Sequence, residues 1–354
     1  MDTVLNTNNY DLISNPMFLG ETLGIQRYDV VKRQVFLDLT DKQLKNFWKF
    51  DEINLTKDRM DYESLDDTEK FIFENNLRWQ TATDSMLSRS IHEIKKYITN
   101  PELEVCCDVW SMFESAIHSR SYTWVLQNIT KYPKKFFDSI LDDEEIVKRM
   151  NFAKESYDKL LVDNGDIKQK IFDAVIATYI TEGLSFYISF ACTLYFKYRS
   201  KLVGNGSIIQ LIERDEALHI AITQAILKFW KNDPSEGFSE IVKNNEEKVY
   251  ELFKITVENE KAWADYLFSQ GDLMGFNANL LKGYIEWLAN VRLSSLGYKK
   301  IFNQKNNPIG GWLDTFSDSS RIQAAPQEVE IIRYEVGAMD KTLNSGDFDE
   351  FSDL

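Results

Sequence analysis

Glu114-Ser-Ala-Ile-His118 and Glu216-Ala-Leu-His219 contain two of the three histidines in the chain, each one helical turn after a glutamate. Residues three or four apart lie on one face of an α-helix, so each segment can aim a carboxylate and an imidazole at a common point. A single pair of this kind is most often a solvated surface pair. Two in one chain make a dinuclear metal site plausible, provided that further helices supply carboxylates.

Two such acids exist. Glu182 sits among Val175, Tyr179, Phe186 and Phe190 at helical spacing, and Asp84 shares a stripe with Phe73, Leu77 and Leu87. Either acid alone reads as a surface, capping or arginine-paired group. As a set with the two Glu-His segments they predict buried carboxylates, which need a compensating cation. Four carboxylates and two neutral imidazoles balance two divalent ions, and this donor set suits iron or manganese. His92 lies beside charged residues with no metal-like spacing and reads as surface.

Apolar residues recur at three- and four-residue intervals, and 6 prolines and 15 glycines interrupt them in 354 residues. The pattern predicts an all-α chain with helices near 28–50, 66–95, 102–130, 142–161, 167–200, 205–231, 237–270 and 277–298. Breaks are expected at Asn100-Pro101, Tyr132-Pro133, Asp163-Asn164-Gly165, Gly204-Asn205-Gly206 and Asp233-Pro234. From about residue 303 the pattern gives way to a polar, acidic tail. The expected division is a metal-binding domain over 1–320 and a flexible tail over 321–354.

With 44% hydrophobic residues the chain can bury a substantial core, and its net charge of −15 argues against nucleic acid or an anionic membrane as main partner. Cys106, Cys107 and Cys192 form no Cys-x-x-Cys pair, which fits a reducing cytoplasm without disulfides or a thiolate zinc site. The N-terminal residues carry no export signal, and no run approaches eighteen uncharged apolar residues. Tyr122 follows His118 by four residues, one turn along the same face, with Phe186, Phe190 and Ile212 as candidate apolar walls around it. From spacing alone a structural tyrosine is the simpler reading.

At this point the chain resembles the small, radical-generating subunit of class I ribonucleotide reductase, in its bacterial and phage tyrosyl-radical branch. The resemblance runs over nearly the whole chain. It is carried by Asn15-Pro-Met-Phe-Leu-Gly, Gln43-Leu-Lys-Asn-Phe-Trp48, Asp84-Ser-Met-Leu-Ser-Arg-Ser, Ile117-His-Ser-Arg-Ser-Tyr122-Thr, Phe186-Tyr-Ile-Ser-Phe-Ala-Cys-Thr, Ile212-Glu-Arg-Asp-Glu-Ala-Leu-His219 and Ala325-Pro-Gln-Glu-Val-Glu. It implies a ferritin-like helical subunit, a homodimer, that uses dioxygen and a dimetal centre, di-iron first and manganese second, to oxidise Tyr122. The oxidising equivalent then passes to a large catalytic subunit that reduces ribonucleotides. The resemblance places metal ligands at Asp84, His118, Glu182, Glu216 and His219, with a further glutamate near residue 115. It also implies a relay through His118, Asp215, Trp48 and the tail residue Tyr334, with Glu328 as an acid position of the tail.

One position departs from the family pattern. A glutamate belongs three residues before His118, where this chain has Ser115, and the acid is Glu114, four before. Either Glu114 reaches the metals, directly or through a one-residue π-bulge, or Ser115 occupies the ligand position and the centre is altered. Glu114 is the expected ligand, because losing one anion would leave positive charge uncompensated in a dry site. The terminal Asp347-Phe348-Asp-Glu-Phe351-Ser-Asp-Leu354 spaces three apolar side chains among acids, a pattern that orders on docking in a groove with a basic rim. The resemblance assigns that docking to the large subunit. A hydroxylase or desaturase would share the ligands but needs a substrate cavity, and an iron-storage protein would lack the tail.

Overall fold

The computed structural model describes residues 3–8 and 10–317, so the expectations for Glu328, Tyr334 and the terminal segment lie outside the described residues. Helices in chain order are α1 (Gln34–Lys45), α2 (Thr56–Ser64), α3 (Asp67–Lys95), α4 (Pro101–Met112), α5 (Ser119–Ile129), α6 (Pro133–Asp138) and α7 (Glu144–Asp158). They are followed by α8 (Ile167–Ile180), α9 (Phe186–Tyr198), α10 (Val203–Asn232), α11 (Ser239–Asn244), α12 (Glu246–Leu267), α13 (Ala278–Ser295) and α14 (Gly310–Ser317). The described residues contain no strand beyond two isolated bridges, Phe18–Ile98 and Leu273–Phe276. This is the all-α bundle that the apolar spacing predicts.

Local chemistry accounts for the main boundaries. The Asp66 side chain accepts from the Glu69 amide while the Glu69 carboxylate takes the Asp66 amide, a capping box that starts α3. Asn100 caps α4, whose first residue is Pro101, where the missing N–H is no loss. Two helices are interrupted by a wider turn. A π-turn over Phe113–His118 joins α4 to α5, and another over Thr181–Ser185 joins α8 to α9.

The core lies where α3, α8, α9 and α10 pack together. Every residue from Ile171 to Phe196 is buried. A helix buried on all sides carries no one-sided stripe, so the stripe argument for Glu182 picked out a feature common to the whole element. The run Ile167–Tyr198 is long and apolar enough to cross a membrane by length and composition, and its apolar window is 100% buried inside the bundle.

Several boundaries differ from the sequence expectation. Residues 28–33 are irregular, and the segment expected over 237–270 is split at Asn245. The pattern missed α2, α6 and α14, which are short. Ile309 and Leu313 are buried around α14, and Trp312 stacks on Tyr198 at 5.4 Å, so the chain is anchored to α9 after residue 303. Gly204-Asn205-Gly206 is the first turn of α10 rather than a break. The buried Asp58 carboxylate accepts from the Gly204 and Asn205 amides at 3.0 and 2.6 Å, and the break falls at Ser200 and Leu202, both with positive φ.

Gly204 permits that close approach, because a Cβ there would lie 2.6 Å from the Asn54 carbonyl oxygen. Gly204→Ala should therefore destabilise the protein by about 1–3 kcal/mol, read as a lower urea midpoint. An unchanged midpoint would refute this account of the α9–α10 junction.

Candidate metal centre

α3, the α4–α5 helix, the α8–α9 helix and α10 each send acid or imidazole groups into one pocket. Asp84, Glu114, His118, Glu182, Glu216 and His219 all have 0% exposure. Their donor atoms form two quartets, Asp84–Glu114–His118–Glu216 and Glu114–Glu182–Glu216–His219, each within 4.8 Å. Glu114 and Glu216 belong to both, so either carboxylate could bridge two cations.

A π-turn compensates for the displaced position of Glu114. It holds one residue more than an α-turn, so the four-residue step from Glu114 to His118 does the work of the three-residue step from Glu216 to His219. The resulting contacts match: His118 Nδ1 lies 3.2 Å from Glu114 Oε2, and His219 Nδ1 lies 2.9 Å from Glu216 Oε2. Ser115 is exposed, with its hydroxyl donating to the Ser111 carbonyl at 2.9 Å. The Glu114 carbonyl, left out of the regular ladder, accepts from both the amide and the hydroxyl of Ser119. Glu182 also occupies the second position of a π-turn. There Arg292 Nε donates to the Gly183 carbonyl at 3.0 Å, and Arg149 Nη2 to that of Ser185 at 2.5 Å.

Among the described residues, Asp84 Oδ1, both oxygens of Glu182, Glu216 Oε1 and His219 Nε2 are buried with no hydrogen-bond partner. Orphaned carboxylate oxygens in a dry pocket are costly and call for a cation. Hard oxygen donors with two imidazoles fit a pair of divalent first-row metals.

Electrostatics agree. Burial, and then Glu114, hold Asp84 well above the usual carboxylate range; burial and the Glu216 and Glu114 carboxylates do the same to Glu182. Burial opposes charge on the imidazoles, yet Glu114 with Asp215 raises His118 well above its ordinary value, and Glu216 with Glu114 raises His219. Glu216 is lowered: burial works against it, but Glu182 and the two imidazoles prevail.

Tyr122 is wholly buried, and its hydroxyl donates to Asp84 Oδ2 at 2.6 Å. Burial, and then Asp84, push the phenol well above its ordinary value. Phe186, Phe190 and Ile212 are buried, the first two stacked at 5.5 Å. On the far side of His118, Nε2 lies 3.3 Å from Asp215 Oδ2, which accepts from Trp48 Nε1 at 2.7 Å. Arg214 braces the other Asp215 oxygen at 3.1 Å. His92 is exposed.

Sequence reasoning missed Trp110. Its indole N–H donates to Glu114 Oε1 at 3.0 Å and its ring stacks on His219 at 5.1 Å, fixing both a carboxylate and an imidazole. The available signal was its place four residues before Glu114 on the same helix. Arg149 and Arg292 carried no such signal, because they reach the site from helices distant in sequence.

Fold and pocket together define a helical-bundle protein with a buried carboxylate and histidine pocket suited to a dinuclear metal site. The family described as ribonucleotide reductase, small chain, matches residues 27–308. The chain is 36% identical over 376 residues to the ribonucleoside-diphosphate reductase subunit beta of Haemophilus influenzae, covering 99% of each. It is 32% identical over 378 residues to that of Enterobacteria phage T4, covering 97% of each. The solved ribonucleotide reductase R2 subunit from Clostridium botulinum superposes with a TM-score of 0.81 at 27% identity, over 89% of this chain and 98% of that one. The chain belongs to the ribonucleotide reductase small-chain family. It is the oxidoreductase's small subunit, with a dinuclear metal site, and it works with a large subunit; a hydroxylase or desaturase is not favoured.

Asp84, Glu182, His118 and His219 all bind protons more tightly than in an unfolded chain, so the metal-free protein loses stability as pH rises through their raised values. Metal must displace those protons, so its affinity rises with pH. The increase in melting temperature on adding manganese(II) should be larger at pH 8 than at pH 6, with protons released in weak buffer. Equal increments without proton release would contradict this assignment.

Proposed function

We propose that this chain is the radical-generating subunit of a ribonucleoside-diphosphate reductase, in which Tyr122 becomes the stored phenoxyl radical and Trp48 the exit. The observation that carries the reading is the unbroken line Tyr122–Asp84, metal pocket, His118–Asp215–Trp48 in a fully buried setting. Asp84, Glu114, His118, Glu182, Glu216 and His219 would hold the metals, with iron as the resident ion and manganese as the alternative. When bound, the metal pair supplies, with dioxygen, the oxidising power that protein side chains lack.

The protein's own groups do the rest. Asp84 Oδ2 lies 2.6 Å from the Tyr122 hydroxyl and can take its proton as the ring loses an electron. Phe186, Phe190 and Ile212 keep water from the pocket that holds the radical. Asp215 orients the His118 imidazole and the Trp48 indole at once, so proton position and electron exit are coupled there. Tyr334, with Glu328 nearby, would carry the equivalent onward from the tail, and residues 321–354 would dock on the large subunit through Phe348, Phe351 and Leu354. Exposed apolar groups at Ile25, Tyr28, Val30, Leu44 and Phe47 support a homodimer. The setting would be the cytoplasm of a bacterium or of a phage-infected host.

Tyr122→Phe should keep its metal and lose the long-lived Tyr122 phenoxyl signal that wild type retains in electron paramagnetic resonance after oxygen treatment, leaving at most a transient signal from another ring. Trp48→Phe, and deletion of residues 335–354, should keep that signal and lose turnover with the large subunit. Loss of the radical in the truncated chain would overturn the tail assignment. Glu114→Ala should weaken metal binding by more than the about 10–100-fold typical of outer-shell changes, with Ser115→Ala near wild type. The reverse ranking would transfer the ligand role to Ser115.

A further inference from the structure

A line of oxidisable side chains outside the Trp48 relay runs from the core to the surface. Trp79 lies on α3 five residues before Asp84, about 7.5 Å along the helix axis at 1.5 Å per residue. Its ring centroid is 6.3 Å from that of Trp263 on α12, and Trp263 stacks on Tyr266 at 5.2 Å. Trp79 and Trp263 are 1% and 2% exposed, whereas Tyr266 is half-buried. The Tyr266 hydroxyl donates to Asp143 Oδ2 at 2.8 Å, so this phenol faces a proton acceptor at the protein's edge. Burial, and then Asp143, raise the Tyr266 phenol above its ordinary value, which keeps it protonated and able to lose proton and electron together.

Arg149 sits inside this line. Its guanidinium carbon is 3.7 Å from the Trp79 ring centroid and 4.7 Å from that of Trp263, and Arg149 also holds the Ser185 carbonyl of the turn that carries Glu182. A cation over an indole face is favourable while the ring is neutral and opposes positive charge on it. Glu260 binds the same guanidinium and offsets part of that field. Electron loss at either tryptophan is therefore uphill, and only a strong oxidant in the pocket drives it.

We propose that Trp79, Trp263 and Tyr266 form a second electron-transfer line, which drains oxidising equivalents from the metal pocket when Tyr122 fails to capture them. The proposal rests on the reading that this pocket generates a one-electron oxidant. One electron moves from Tyr266 through Trp263 and Trp79 to the oxidised pocket. The Tyr266 O–H bond breaks, and its proton passes to Asp143, leaving a neutral phenoxyl beside a protonated carboxyl. A thiolate from solution then returns an electron and Asp143 returns the proton, giving phenol, carboxylate and a thiyl radical. Tyr122, hydrogen-bonded to Asp84, competes first, so the line serves as a relief path.

The test uses the full chain carrying Tyr122→Phe, loaded with iron(II), exposed to dioxygen, freeze-quenched and read by electron paramagnetic resonance with and without ring-deuterated tyrosine. Peptide mass mapping of the same samples locates oxidised side chains, and metal content is matched across variants. The expected result is a deuterium-sensitive phenoxyl with oxidation at Trp263 and Tyr266; the phenoxyl is lost in Tyr122→Phe/Tyr266→Phe and in Tyr122→Phe/Trp263→Phe. A phenoxyl that survives either second substitution, or none in Tyr122→Phe while wild type shows its Tyr122 signal, would overturn the proposal. A wild-type chain without any phenoxyl would remove the reading beneath it, and the proposal with it.

Discussion

Four carboxylates and two imidazoles share a pocket with no exposure to water, and the rest of the structure answers that one electrostatic problem. Like charges at these distances cannot all ionise in a dry interior. The metal-free chain resolves the conflict with protons, as the raised Asp84, Glu182, His118 and His219 indicate. Two divalent cations resolve it better, because they also satisfy oxygens that no hydrogen bond reaches. The helical scaffold must hold the groups together against their repulsion, which explains why the site is embedded where α3, α8, α9 and α10 are most deeply buried.

Precision in that scaffold comes from irregular helix turns. Both π-turns place a glutamate at their second position, and both release backbone carbonyls that specific side chains then take: Ser119 at the first, Arg149 and Arg292 at the second. Such turns cost helical regularity and recur at functional sites. Here the first one lets an acid four residues from its histidine occupy the position that three residues would give in a regular helix. The same outer layer serves more than geometry: Asp215 connects an imidazole to Trp48, and Arg149 sets the charge beside the Trp79–Trp263 pair.

Much of this was legible in the residues. The helical class, the span of α3 and the ends of the long central run followed from apolar spacing and from caps such as Asn100-Pro101. The two Glu-His segments pointed to the pocket because histidine is scarce in the chain. Charge balance favoured Glu114 over Ser115, but how Glu114 reaches the pocket was not legible, since it depends on a turn geometry that spacing alone leaves open. Short helices such as α2 and α14 were missed because their order comes from packing on distant elements: Asp58 against the start of α10, Trp312 against Tyr198. Trp110, Arg149 and Arg292 act through tertiary contacts, and only Trp110 left a trace in local periodicity.

The most direct measurement is anomalous diffraction from crystals of the full chain grown with manganese(II) or iron(II). The account predicts two ions per chain, one against Asp84 and His118 and the other against Glu182 and His219, with Glu114 and Glu216 touching both. A single ion, or a pair ligated without Glu114, would contradict it.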